Sequence, residues 1–192
     1  MKIKRFVALC LFLCCAATAA FSGTKNKEPN SRTERFSATL AVLSGPRAGR
    51  VRPVTIYISD YSTEAEAAQL AGAFADGGSK ALFKVLTKLK SKGRVAPTGS
   101  TGYQIRFIRS TQTPNGRKIV MLTDRPISFL ERYYGTRSSD YEYGLVELNI
   151  NDEGKGEGSL IWAAKVKGMS GNQIDVENFG IEPARLMKVR KL

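Results

Sequence analysis

From Tyr103 onward the chain switches repeatedly between short alternating apolar segments and turn-forming clusters, and that rhythm leaves little besides an antiparallel meander. Tyr103, Ile105 and Phe107 alternate with Gln104 and Arg106, and Thr113-Pro114-Asn115-Gly116 reverses the chain into Lys118-Ile119-Val120-Met121-Leu122. Asn151-Asp152-Glu153-Gly154 makes a second reversal, between Val146, Leu148 and Ile150 on one side and Leu160, Trp162, Ala164 and Val166 on the other. Gly171-Asn172 introduces a further strand through Ile174 and Val176, and Ala184 to Val189 adds a last one. Upstream, Phe36 to Leu43 and Val51 to Ile58 flank the Gly- and Pro-containing stretch Ser44 to Gly49, which predicts a first hairpin. Pro53 cannot donate a ladder hydrogen bond, so its strand is expected at a sheet edge or a bulge.

Between these strand-like parts lies a helical section. Thr63 with Glu66 three residues on has the form of a capping box, and Ala65, Ala68, Leu70, Ala71, Phe74 and Ala75 continue the pattern to Gly77-Gly78. Ser79 then opens a second helical stretch, with Leu82, Val85, Leu86 and Leu89 on one face, lysines on the others and Gly93 to close it. The predicted class is α+β: a strongly curved antiparallel sheet, as far as a half-open barrel, with an inserted helical hairpin covering one face or end.

Such a fold has to be held by its core alone. Cys10, Cys14 and Cys15 are the only cysteines, and the chain has no histidine. All three lie in a segment with the anatomy of an export signal: Lys2, Lys4 and Arg5 form a positive head, Phe6 to Ala17 is apolar, and Ala17-Thr18-Ala19 offers small residues for cleavage. That apolar run is shorter than the ~20 residues of a membrane-spanning helix. Residues 1–19 are therefore read as a signal peptide of the general secretory route and 20–32, polar and turn-rich, as a flexible tether. Residues 33–192 form a single domain, large enough to bury a core without staples. Delivery to the periplasm or full secretion follows. Once the leader is removed, no thiol nucleophile, disulfide, imidazole base or Cys/His metal site is available, and no cofactor or metal is expected.

Charge points to partners. Lys and Arg number 30 against 17 Asp and Glu, and losing Lys2, Lys4 and Arg5 with the leader lowers this excess by only three. A surplus of this size favours anionic partners such as lipid, glycan or another envelope component. It equally describes a solvated surface that keeps an exported protein dissolved. The lysine-rich helix invites a membrane-surface reading, although an apolar stripe of this kind commonly faces its own core. No nucleic-acid reader motif occurs.

The chemistry-bearing residues cluster between Leu122 and Leu148. Asp124, Glu131, Asp140 and Glu142 are the catalytic candidates, since a suitably spaced carboxylate pair can hydrolyse a glycosidic bond. Arg125, Arg132, Tyr133, Tyr134, Arg137, Tyr141 and Tyr143 interleave with them, a mixture suited to holding a sugar or anionic group by stacking and charge. The competing reading is a structural corner whose aromatics cap the core. Gly154-Lys155-Gly156-Glu157-Gly158 matches no nucleotide fingerprint and opens a strand, so it is read as a turn with bulges.

Gly45 to Ile56, Thr123 to Phe129 and Gly154 to Gly158 together resemble a family of uncharacterised secreted bacterial proteins. The resemblance implies export and a single domain, and it carries no activity, ligand or catalytic residue. The leading expectation is a non-enzymatic envelope or secreted binding protein for a lipid, glycan or other anionic ligand. The alternatives are a carboxylate-dependent hydrolase and a structural or protein-interaction module.

Overall fold

Nine strands and one helix make up the computed structural model, which describes residues 33–45, 47–127, 141–170, 173–178 and 182–192. In chain order they are β1 (Glu34–Ala41), β2 (Val51–Ile58), α1 (Glu64–Leu86), β3 (Gly93–Pro97), β4 (Tyr103–Thr113), β5 (Gly116–Thr123), β6 (Tyr143–Asn151), β7 (Lys155–Ser170), β8 (Gln173–Asn178) and β9 (Ala184–Lys191). All pairings are antiparallel and run β6-β5-β4-β3-β2-β1-β9-β7, and β6 also pairs with β7. The sheet is thus a closed barrel of eight strands, not the half-open one predicted. Closure depends on β9, which joins β1 through Phe36↔Lys191 and Leu40↔Leu186 and joins β7 through Lys155↔Arg190 and Leu160↔Ala184. Beyond the barrel β7 continues and pairs with β8, from Ala164↔Asn178 to Ser170↔Gln173.

Alternation sorts the side chains into two cores. Inward positions such as Phe36, Val54, Ile56, Val95, Ile105, Ile119, Met121, Leu148, Trp162 and Leu186 pack into the barrel lumen. Side chains fill an interior of this strand number. Outward positions of β4–β7, including Phe107, Val120, Leu122, Leu145 and Ile161, meet Leu70, Leu82 and Leu86 of the helix. Both sets must leave water, so Ile119–Thr123 of β5 and Tyr143–Val146 of β6 are buried without alternation, whereas β1 alternates.

The capping box forms as predicted: Thr63 Oγ1 accepts from Glu66 N at 3.2 Å, and Glu66 Oε2 accepts from Thr63 N at 2.8 Å. The helical section breaks at Gly77-Gly78, where the sequence placed the corner between two helical stretches, and Gly78 takes φ 64°. The second stretch ends at Leu86, with Thr87 as its cap, and Gly93, expected to close it, instead opens β3. A Cβ there would lie 2.2 Å from the Tyr57 carbonyl oxygen, so only glycine lets β3 approach β2. Pro53 also departs from expectation, since β2 is an interior strand. The proline is tolerated because β3 ends at Pro97, opposite Val54, so the β2–β3 ladder stops one residue short of Pro53, where Thr98 N donates to the Pro53 carbonyl without needing a bond in return. Gly156 and Gly158 lie in β7, facing the carbonyls of Asn149 and Glu147 and spanning a register shift against β9, in keeping with the turn-and-bulge reading. No helix among the described residues is long and apolar enough to cross a membrane.

Candidate functional site

Both barrel mouths are stoppered. At the mouth where β1 begins, the inward-facing Glu34 carboxylate, only 8% exposed, accepts from Tyr61 Oη at 2.7 Å, Arg117 Nη2 at 2.9 Å and Lys191 Nζ at 2.8 Å. Burial alone would raise the pKa of Glu34. The three donors, Lys191 foremost, outweigh that and hold it below the ordinary carboxylate value. Burial and the Glu34 bond push the Tyr61 phenol well above its usual range, so it stays a donor. This arrangement satisfies a buried charge and locks strands β1, β5 and β9 together.

At the opposite mouth the chain after β5 folds inward. Thr123 Oγ1 accepts from Gly144 N at 2.7 Å, Ile127 N donates to the Trp162 carbonyl at 2.8 Å, and the Ile127 side chain enters the lumen core. The described members of the predicted site, Asp124, Arg125, Tyr141, Glu142 and Tyr143, lie here, and four of them have the following structural partners. Asp124 is paired with Arg106 at 2.8 Å, and Arg106 also donates to the Leu89 carbonyl. Arg125 stands over the Tyr103 ring at 5.4 Å. Tyr141 donates to Glu177 of β8 at 2.9 Å. Tyr143 is wholly buried: it donates to the Ser79 carbonyl at 2.6 Å and meets Phe83 edge-on at 5.6 Å, fixing β6 against the helix break. Burial pushes its phenol upward, helped by the neighbouring Glu142. Glu131, Arg132, Tyr133, Tyr134, Arg137 and Asp140 lie outside the described residues. Among the described residues no group of three or more His, Cys, Asp or Glu is placed to hold a metal ion.

With a packed lumen, a ligand has the outer wall available to it, and the two halves of that wall differ. On the helix-bearing side carboxylates stand among the cations: Lys92 pairs with Glu66 at 3.0 Å, Lys118 with Glu147 at 2.9 Å, and Arg109 with Glu64, while the lysines of the helical section face outward. On the other side, β3, β2, β1 and β9 together contain one carboxylate, the inward-facing Glu34. Their outward positions carry Arg94, Arg35, Arg185, Lys188 and Arg190. The register sets Arg35 beside Tyr57 and Tyr57 beside Arg94, with the Arg94 guanidinium 4.4 Å from the Tyr57 ring centroid. Arg190 lies between Ser37 of β1 and Lys155 of β7, and Arg185 between Ala41 and Ser159. None of Arg35, Arg185, Lys188 and Arg190 is ion-paired with an Asp or Glu among the described residues. Such a wall, free of competing carboxylates, can hold phosphate, sulfate or carboxylate groups by charge and guanidinium hydrogen bonds.

A shallow cleft of about 480 Å³ opens between the β4–β5 and β6–β7 turns, lined by Thr113, Asn115, Asn149, Asn151, Lys155 and Glu157. It is broad and open.

Sequence reasoning missed the basic wall. The available signal was the near-absence of Asp and Glu from four strand segments that are rich in Arg and Lys. It becomes a surface only once non-consecutive strands are paired. No protein-family model, curated protein or solved structure matches the chain.

Proposed function

We propose that this chain is an exported, non-enzymatic binding protein that takes an anionic ligand on the outer wall formed by β3, β2, β1 and β9. One observation carries the reading: this half of the barrel presents Arg35, Arg94, Arg185, Lys188 and Arg190 without a carboxylate among its outward residues, whereas on the other half Glu64, Glu66 and Glu147 stand among the cations and pair with Arg109, Lys92 and Lys118. Unpaired like charges on neighbouring strands repel one another, and a bound anion relieves that repulsion. The described Tyr and Arg residues near Asp124 act within this account as supports for the barrel mouth. Export by the general secretory route, to the periplasm or beyond, and kinship with the secreted family that the chain resembles belong to the same proposal.

Retention on an immobilised sulfated glycan tests it. The protein should be retained at low salt and released by added NaCl, since exposed charges are screened over about 10 Å at 0.1 M. Arg35→Glu with Arg190→Glu should elute much earlier. Co-elution of that variant with the unaltered protein would remove the wall from the account.

A further inference from the structure

The basic wall carries a second feature, independent of its charge. Four large apolar residues are exposed among the described residues: Leu43 at 37%, Val51 at 58%, Met187 at 38% and Leu192 at 61%. All four belong to the same half of the barrel. Val51 and Met187 occupy outward positions of β2 and β9, opposite Ala41 and Thr39 of β1; Leu43 follows β1; and Leu192 bonds through its N–H to the Arg35 carbonyl. They are spread singly along the wall, and cations stand close in sequence to three of them: Arg50 and Arg52 flank Val51, Lys188 follows Met187, and Arg190 lies two positions before Leu192.

Resting on the anion-binding reading, we infer that the occupant of this wall is the surface of a membrane containing anionic phospholipid. A dissolved polyanion would be held by the cations alone and gives no role to the aliphatic side chains. A protein partner is expected to meet a contiguous apolar centre with a polar rim, which differs from isolated aliphatic side chains set among cations. At a lipid surface both parts act together. The cations sit at the phosphate level, while Val51, Met187, Leu43 and Leu192 reach past it into the boundary between headgroups and acyl chains. The convex wall of a barrel offers these side chains along a broad surface, with no groove required. The barrel remains outside the hydrocarbon, because its lumen is apolar and its outer wall is charged.

Co-sedimentation with vesicles tests this. The protein should pellet with mixed phosphatidylglycerol–phosphatidylcholine vesicles and stay in solution with phosphatidylcholine alone. Arg35→Glu with Arg190→Glu should lower the vesicle affinity by about tenfold or more. Val51→Ser with Met187→Ser should lower it severalfold while leaving retention on the sulfated glycan unchanged. Far-ultraviolet circular dichroism confirms that each variant is folded. Unchanged vesicle binding by the Val51→Ser, Met187→Ser protein overturns the lipid inference. So does retention on the glycan without binding to either vesicle, which leaves the anion-binding reading intact and transfers the wall to a soluble polymer or an acidic protein. Failure to bind both vesicles and glycan overturns both readings.

Discussion

The two halves of this barrel share one lumen and differ in what lies outside it. On β4–β7 the helix covers an apolar outer face, and Lys92, Arg109 and Lys118 beside it have acidic partners. On β3, β2, β1 and β9 the outward residues are Arg, Lys, Ser, Thr and isolated aliphatics, and among the described residues no helix lies over them. The contrast separates two uses of a strand's outer face. One half contributes to stability through burial; the other keeps exposed charge that adds nothing to stability and is free to act on a partner. Substitutions should therefore divide cleanly: the helix side alters the stability of the fold, and the bare side alters what the fold binds.

The largest stability effect should come from Leu82→Ala. Leu82 is fully buried between helix and barrel, and its loss should cost about 2–5 kcal/mol in chemical denaturation. Binding to a sulfated glycan by the protein that remains folded should not change. Glu66→Ala comes next, because Glu66 both completes the capping box and neutralises the buried Lys92 at 3.0 Å. A loss of about 2–4 kcal/mol is expected, well above that of an exposed ion pair.

Glu34 supplies an effect that depends on pH. Its folded-state pKa lies below the unfolded value, so the stability it contributes is complete above the unfolded carboxylate pKa and disappears as pH falls through the folded one. Unfolding curves should show stability dropping below about pH 4. In Glu34→Gln that component should vanish, leaving a protein less stable at neutral pH and less sensitive to acid. An equally steep acid loss in the variant would show that the stopper is not its source.

The smallest stability effect belongs to the bare wall: Arg35→Glu with Arg190→Glu should stay within about 0.5 kcal/mol of the unaltered protein. A large stability change in that variant would erase the distinction between the two halves.

How much of this was legible in the sequence follows the range of the interactions. The Pro114-Asn115 and Asp152-Glu153 reversals are local, written in turn chemistry, and the hairpins β4–β5 and β6–β7 are where those signals place them. The Thr63–Glu66 cap spans three residues and was equally readable. Closure was not, because it requires β9 to insert between β1 and β7, and the apolar alternation of 184–189 specifies a strand without naming its neighbours. β3 is short and follows the helix directly, so Gly93 resembled a helix stop; only the approach of the Tyr57 carbonyl reveals its role. The candidate site shows the same limit. Asp124, Arg125, Tyr141 and Tyr143 stood out because they lie close together in the chain or in sequence pattern, and the fold gives each a structural contact. Arg35, Arg94 and Arg190 are far apart in sequence, and strand pairing alone assembles them. The excess charge was visible as a total, whereas its gathering on one wall is a property of the topology.

Nuclear magnetic resonance mapping tests the central claim most directly. Backbone amide shifts of the labelled protein would be followed as a short sulfated glycan is added. Changes concentrated in β1, β2, β3 and β9, centred on Arg35, Tyr57, Arg94 and Arg190, are the predicted result. Changes concentrated instead around Asp124, Arg125 and Tyr141, or around the Asn115–Asn151 cleft, would contradict the account and move the binding site to a barrel mouth.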